Sequence, residues 1–256
     1  MIKKPLIFIL SVFILTGCTS QKEISYLNNL PVTNGESQFS MNIPYYKIQP
    51  RDIIYVSVKT QTQDGGLTDI LTGQNPNVSN MVTGEASQYV SGYSVDPNGM
   101  INLPLFGKTP VSGQTIYEIR DKIQTAADSL FRHAYVEVRL LSFKFTVIGE
   151  VKMPGSYTNY SDQLTVFEAL GRAGGVNDFG SRRDVLIVRP VEKTSITYKV
   201  NLQDKNILES PAYFISPNDV IIVQETPRKA FSLNLPAFSF MLSSVTTTLL
   251  LINFFK

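Results

Sequence analysis

One stretch, Phe145 to Val176, constrains this chain more than any other. It opens with β-forming residues, Phe145-Thr-Val-Ile148, and breaks at Gly149. It then turns through Met153-Pro154-Gly155, where proline presets φ and glycine tolerates values that other residues avoid. After a polar loop, Thr165-Val-Phe-Glu168 has the spacing of a capping box. Thr165 accepts from the backbone N–H of residue 168, and Glu168 reaches back to residue 165. The helix continues through Ala169-Leu170 and is expected to stop at Gly174-Gly175, where a glycine C-cap belongs.

Ile148-Gly149-Glu150-Val151, Pro154-Gly155, Leu164-Thr165 and the helix end Ala173-Gly174-Gly175-Val176 together resemble the SLBB module, a soluble-ligand-binding β-grasp fold. A second pattern is a repeat. Tyr46-Lys-Ile48-Gln-Pro50-Arg51-Asp52-Ile53-Ile54-Tyr-Val56 returns as Tyr213-Phe-Ile215-Ser-Pro217-Asn218-Asp219-Val220-Ile221-Ile-Val223, agreeing at six of eleven positions. Each copy is a turn with aspartate in it, feeding a β-branched strand. Repetition of the unit points to two related β-rich modules.

The N-terminus reads as an export leader over 1–17, with Lys3-Lys4 as its charged start and Pro5 to Leu15 as its apolar core. That core is too short to span a bilayer, which needs about 20 apolar residues. Leu15-Thr16-Gly17-Cys18 resembles the bacterial lipobox, which implies lipid attachment at Cys18, and Thr19 after it points to the outer membrane. Removing Lys3 and Lys4 from the 23 basic residues leaves 21 against 21 acidic ones. A neutral chain offers no electrostatic case for nucleic acid. One cysteine and one histidine allow neither an internal disulfide nor a Cys/His metal cluster, so no metal or other cofactor is expected. Residues 18–44 read as a polar tether, and 60–92, rich in Thr, Gln, Asn, Gly and Ser, as a long loop.

Tyr93 to Leu105 reads as a hairpin turning at Asn98-Gly99, a type I′ signal. Thr115-Ile-Tyr-Glu118 is a second capping box, and its helix carries Ile116, Ile119, Ile123, Ala126 and Leu130 as an apolar stripe. A strand follows with Tyr135, Val136, Val138 and Leu140. His133, just before it, reads as a loop-edge residue without a catalytic partner. After it, Arg182-Arg183 read as a solvated surface pair ahead of the strand Val185–Val188, with contact to an anionic glycan as the alternative. A further strand is expected at 194–198.

Asp96, Asn98-Gly99, Ile101, Leu103-Pro104, Gly107, Val111, Gly113, Thr115 and Glu118 resemble the polysaccharide biosynthesis/export domain. Lying directly ahead of one SLBB module and behind a lipobox, this block resembles the Wza-type outer-membrane polysaccharide export lipoproteins. The family usually has Gly-Asp in the turn before the strand, where this chain has Arg51-Asp52 and Asn218-Asp219. The expected fold class is α+β: a β-rich export domain over 45–142, a β-grasp-like SLBB domain over 143–226, and a C-terminal amphipathic membrane-spanning helix over 227–256.

No charge occurs from Ala230 to Phe255. The helix from Ala237 to Phe255, at 1.5 Å per residue, comes to about 28 Å, near one hydrocarbon core. Ser239, Ser243, Thr246 and Asn253 fall on one side, with Thr247 at the border; Phe238, Met241, Val245, Leu249, Ile252 and Phe255 occupy much of the rest, and Leu250 intrudes on the polar stripe. Hydroxyl and amide groups facing lipid are poorly placed. A ring of copies resolves this, with the polar stripe lining a pore and the apolar residues facing lipid.

Three functions follow from these features. The resemblance implies a homo-oligomeric channel that exports capsular or exopolysaccharide from periplasm to surface, working with an inner-membrane polysaccharide co-polymerase. The second is a lipid-anchored periplasmic binding module for a soluble glycan. The third, a glycan-cleaving enzyme, needs paired carboxylates. Asp96, Glu150 and Asp178 sit beside turns without pairing in the sequence, so no catalytic residue is assigned and the chain is not read as an enzyme.

Overall fold

The computed structural model describes residues 25–30, 38–41, 43–61, 65–71, 92–191 and 194–255, the stretch 230–237 by its backbone alone. The predicted leader, Cys18 and most of the long polar loop lie outside the described residues. The architecture is α+β, built on two hydrophobic cores joined by a short linker.

The first core forms around strand β1 (Ile53–Gln61), which is antiparallel to three others. β6 (Tyr135–Leu140) pairs along most of its length, with Val56 opposite Val138. On its other edge β1 carries β2 (Leu67–Asp69) and β3 (Tyr93–Ser94). The expected long loop therefore starts with ordered backbone: β1 runs on to Gln61, and β2 returns against it. Helix α1 (Ile116–Leu130) packs on this sheet, and Thr115 and Glu118 close their capping box. Its buried row is Ile119, Ile123 and Ala127, not the predicted stripe to its end. Ala126 and Leu130 are exposed. Residues four apart drift around a helix by about 40° per step, and the sheet selects the 119–123–127 row.

The predicted hairpin at Asn98-Gly99 is a different turn. β3 pairs with β1, while β4 (Met100–Leu103) pairs with β5 (Gly107–Pro110). Gly99 has φ +77°, but Asn98 is not among the residues with positive φ, and a I′ turn needs both. The Asp96 carboxylate accepts from the N–H groups of Asn98 and Met100, both at 2.9 Å, and Gly99 N–H donates to Asp96 O. The signal marked a turn correctly and its strand pairing wrongly.

The second core lies under a five-stranded sheet in the order β10-β9-β11-β7-β8. Its strands are β7 (Lys144–Gly149), β8 (Gly155–Thr158), β9 (Gly180–Val191), β10 (Thr194–Val200) and β11 (Val220–Glu225). All pairs are antiparallel except β7 with β11. Helix α2 (Val166–Arg172) buries Val166, Ala169 and Leu170 in this core, and the Thr165–Glu168 capping box closes as expected. Gly149 has φ +89°, and a Cβ there would come within 2.1 Å of Val223 O; this position requires glycine.

Part of the predicted tether belongs to the fold. Leu27 and Asn28 donate their N–H groups to Leu202 O and Gln203 O, and Tyr26 packs edge-on against Phe167. Two apolar side chains thus anchor a segment that is polar on average. Finally, α3 (Pro227–Phe254) forms the C-terminal helix.

Candidate functional site

The two repeat copies fold into the same turn. Arg51 and Asn218 both take positive φ, +78° and +66°, and each precedes a buried aspartate. This explains why glycine suits the position before the aspartate. Asp52 Oδ2 accepts from Gln49 N–H at 2.8 Å, and Asp219 Oδ2 accepts from Ser216 N–H at 2.8 Å. Their remaining partners differ. Asp52 is met by neutral hydroxyls, Tyr46 at 2.9 Å and Ser142 at 3.2 Å. Asp219, fully buried, is met by the Arg189 guanidinium through Nη2 at 2.8 Å and Nε at 3.0 Å. Burial raises both carboxylates above their ordinary range; at Asp219 desolvation outweighs even the adjacent guanidinium. Burial, and then Asp52 beside it, likewise raises the Tyr46 phenol.

The interdomain linker ties the two turns together. Leu141 and Ser142 donate to Ile53 O, while Thr146 donates to Asp219 O and Asn218 to Lys144 O. Beside the linker run two neighbouring clefts of about 160 and 200 Å³ that share Tyr45, Tyr46, Phe143 and Asp162. Tyr45 meets Tyr117 edge-on at 5.8 Å, and the Tyr117 hydroxyl donates to Asp162 at 3.2 Å across the domain boundary. Tyr160 stands open at 87% exposure on the same rim. Sequence reasoning assigned no role to these tyrosines. They are scattered over more than 100 positions, so only the joint collects them.

The carboxylates weighed for catalysis have other roles. Asp96 caps its own turn, Glu150 is ion-paired with Lys229 at 2.5 Å, and Asp178 is exposed. No group of His, Cys, Asp and Glu able to hold a metal occurs among the described residues. His133 takes φ +56° at the exposed turn between α1 and β6.

The predicted pore and lipid residues all lie on α3. Ser239, Ser243, Thr246 and Asn253 are exposed, and so are Phe238, Met241, Val245, Leu249, Ile252 and Phe255. Thr246, Thr247 and Thr248 return their hydroxyl protons to carbonyls of the preceding turn, and Ser244 does the same to Met241 O. Ser244 and Thr248 lie about 140° and 180° from Ser239 at 100° per residue, so hydroxyls occur on the predicted lipid side too. Among the described residues no helix is long and apolar enough to cross a membrane. The C-terminal helix expected over 227–256 forms, but its membrane-spanning character is not borne out among the described residues, where polar side chains stand on both faces.

A family model for the polysaccharide biosynthesis/export protein matches residues 41–141, and one for the SLBB domain matches 144–198. The chain carries a polysaccharide export domain followed directly by an SLBB domain. Over 91 residues it is 40% identical to the "EPS I polysaccharide export outer membrane protein EpsA" of Ralstonia nicotianae (strain ATCC BAA-1114 / GMI1000), and equally to the protein of that name in Ralstonia solanacearum. The shared stretch covers 34% of this chain and 24% of each relative, so the match spans about a quarter of those proteins' length. In this export–SLBB chain the change of domain falls at the linker that holds the two aspartate turns together.

Proposed function

We propose that this chain is one subunit of an outer-membrane conduit for an exopolysaccharide or capsular polysaccharide. The observation that carries the reading is α3: a 28-residue helix whose side chains from Phe238 onward are exposed on every side, Phe254 at 81% and Leu250 at 70%. A body with two closed cores leaves such a helix to be completed by something else. Copies closing into a ring resolve what a lone helix cannot. Ser239, Ser243, Thr246 and Asn253 then face a wet lumen, and Phe238, Met241, Val245, Leu249, Ile252 and Phe255 face outward to lipid or the neighbouring copy. The export domain and the relatives' names supply the cargo class.

Lipid attachment at Cys18 fits this arrangement. Tyr26 lies 5.4 Å from the Arg182 guanidinium, beside the first residues of α3. From Tyr26, the eight residues back to Cys18 reach at most about 28 Å, so a lipid on Cys18 stays within that distance of Tyr26. Opening of the conduit, on this reading, is driven by an inner-membrane polysaccharide co-polymerase docking from the periplasm. The alternative, a periplasmic glycan-binding module, draws support from the tyrosine-lined joint. The deciding experiment is a strain whose chain ends at Arg228. The conduit reading predicts a folded, lipid-anchored body and loss of surface polysaccharide. Normal surface polysaccharide in that strain, without a substituting paralogue, would leave the binding module standing.

A further inference from the structure

At the foot of α3 a cavity of about 310 Å³ opens between β9 and the start of the helix. Its walls include Ser181, Arg182, Arg183, Gln203, Thr226 and Arg228: three guanidinium-bearing side chains and no carboxylate. The sequence reading made Arg182-Arg183 a solvated pair, with contact to an anionic glycan as the alternative. Arg182 is instead 8% exposed, inside strand β9. Its Nη2 donates to Val176 O at 3.3 Å and its face covers Tyr26, but its Nε is buried with no hydrogen-bond partner. Arg183 Nε is held by Gln203 Oε1 at 2.8 Å.

Thr226 adds a second unmet group. It is the N-cap of α3, yet its side chain makes no capping bond, and its Oγ1 is buried without a partner. The carboxylates nearby are engaged: Asp184 with Ser181 and Lys199, Glu150 and Glu225 with Lys229. A guanidinium buried without a counter-charge is unfavourable. A helix start adds positive potential that attracts anions. Arginines in such a cluster recognise carboxylate and phosphate groups by paired hydrogen bonds.

We propose that this cavity is an oxyanion-binding site that takes a carboxylate or phosphate group carried by an acidic glycan. Arg182 and Thr226 complete their hydrogen bonding on that group, and Arg228 and Arg183 neutralise it. The proposal rests on the export reading for its ligand, but the site itself does not. A site there places the anionic groups of a polymer at the junction of body and helix, where the conduit would begin.

The test uses full-length mature protein in detergent. Titration calorimetry would be run with inorganic phosphate, with an oligoglucuronate, and with a neutral glucose oligomer of equal length, all at matched ionic strength. The expected result is binding of the first two and not the third, weakened at least tenfold in Arg228→Gln and lost in Arg182→Gln. Should Arg182→Gln fail to fold, Thr226→Val serves in its place, with a severalfold loss expected. Equal binding by Arg228→Gln and the parent chain would overturn the proposal. So would binding of phosphate and of phosphatidylglycerol vesicles without oligoglucuronate, which would make the ligand a lipid headgroup. None of these readings depends on export, so failure here leaves the conduit reading to its own test.

Discussion

Helices α1 and α3 belong to one chain and obey opposite rules. α1 starts at a closed capping box and buries one row, Ile119, Ile123 and Ala127, against β1 and β6. α3 is nearly twice as long and starts at Thr226 without a side-chain cap bond; apart from half-buried Lys229, paired with Glu150, its described side chains are exposed. A helix in water draws most of its stability from packing an apolar face, so α1 is explained within the molecule and α3 is not. On the proposed reading, folding completes α1 and assembly completes α3.

Ending the chain at Arg228 removes the Lys229–Glu150 ion pair but no core residue, so the unfolding of the body should shift little; neither core includes a residue beyond Val223. Deleting α1 should abolish folding of the first domain. Circular dichroism melts of both truncations decide this. A truncated body that melts many degrees lower would mean that α3 packs on it.

Charge placed on α3 sharpens the contrast. On the conduit reading, Leu249→Lys puts an ammonium toward lipid at about 2.5–3.5 kcal/mol on insertion scales, while Ser243→Lys meets water in the lumen. Membrane fractionation should show Leu249→Lys excluded and Ser243→Lys retained with altered export. Equal behaviour of the two would remove the assigned faces. On α1 the same comparison has a fixed answer: Ile123→Lys should unfold the domain, and a lysine at exposed Ala126 should be tolerated.

Between the two cores, the aspartate turns differ by their partners. Asp219→Ala leaves the Arg189 guanidinium without its counter-charge and should cost about 3–5 kcal/mol. Asp52→Ala frees only neutral donors and should cost about 1–3 kcal/mol. Denaturant unfolding of the body measures both, and the reverse order would contradict the assigned partners.

The smallest effects are at the caps. Thr115→Ala and Thr165→Ala should each lose about 1 kcal/mol. Glu118 is held below its ordinary range, first by the Thr115 N–H and then by its hydroxyl. A depressed carboxylate lends its stability in full above about pH 4.3 and loses it as pH falls through the folded value. Glu118→Gln should therefore lower stability at pH 7 and leave it unchanged at low pH. The raised Asp52 and Asp219 carry the opposite sign, their share fading as pH rises through their folded values.

What could be read from the sequence was local. Both capping boxes, the Gly174 helix stop, β6 and the repeated aspartate turn each depend on residues within a few positions of one another. What escaped depended on distant partners. Asn98-Gly99 marks a turn, but β3 and β4 choose their strands elsewhere. The α1 stripe ends on Ala127 because the sheet picks the row. Arg182 is covered by Tyr26 and shares a cavity with the foot of α3, neither near it in sequence. The tyrosines at the joint come from both domains, and no spacing links them. For the tail, composition announced a helix without charge, but hydroxyls bonded back to the helix are not visible in a residue pattern.

The central claim is that α3 is completed by other copies of the chain. The most direct measurement is the mass of the detergent-extracted protein by light scattering, with the detergent's contribution subtracted. The account predicts a closed assembly several times the 28.5 kDa of one chain, collapsing to a single subunit when the chain ends at Arg228. A full-length protein that remains a monomer at the concentrations found in its membrane would contradict it.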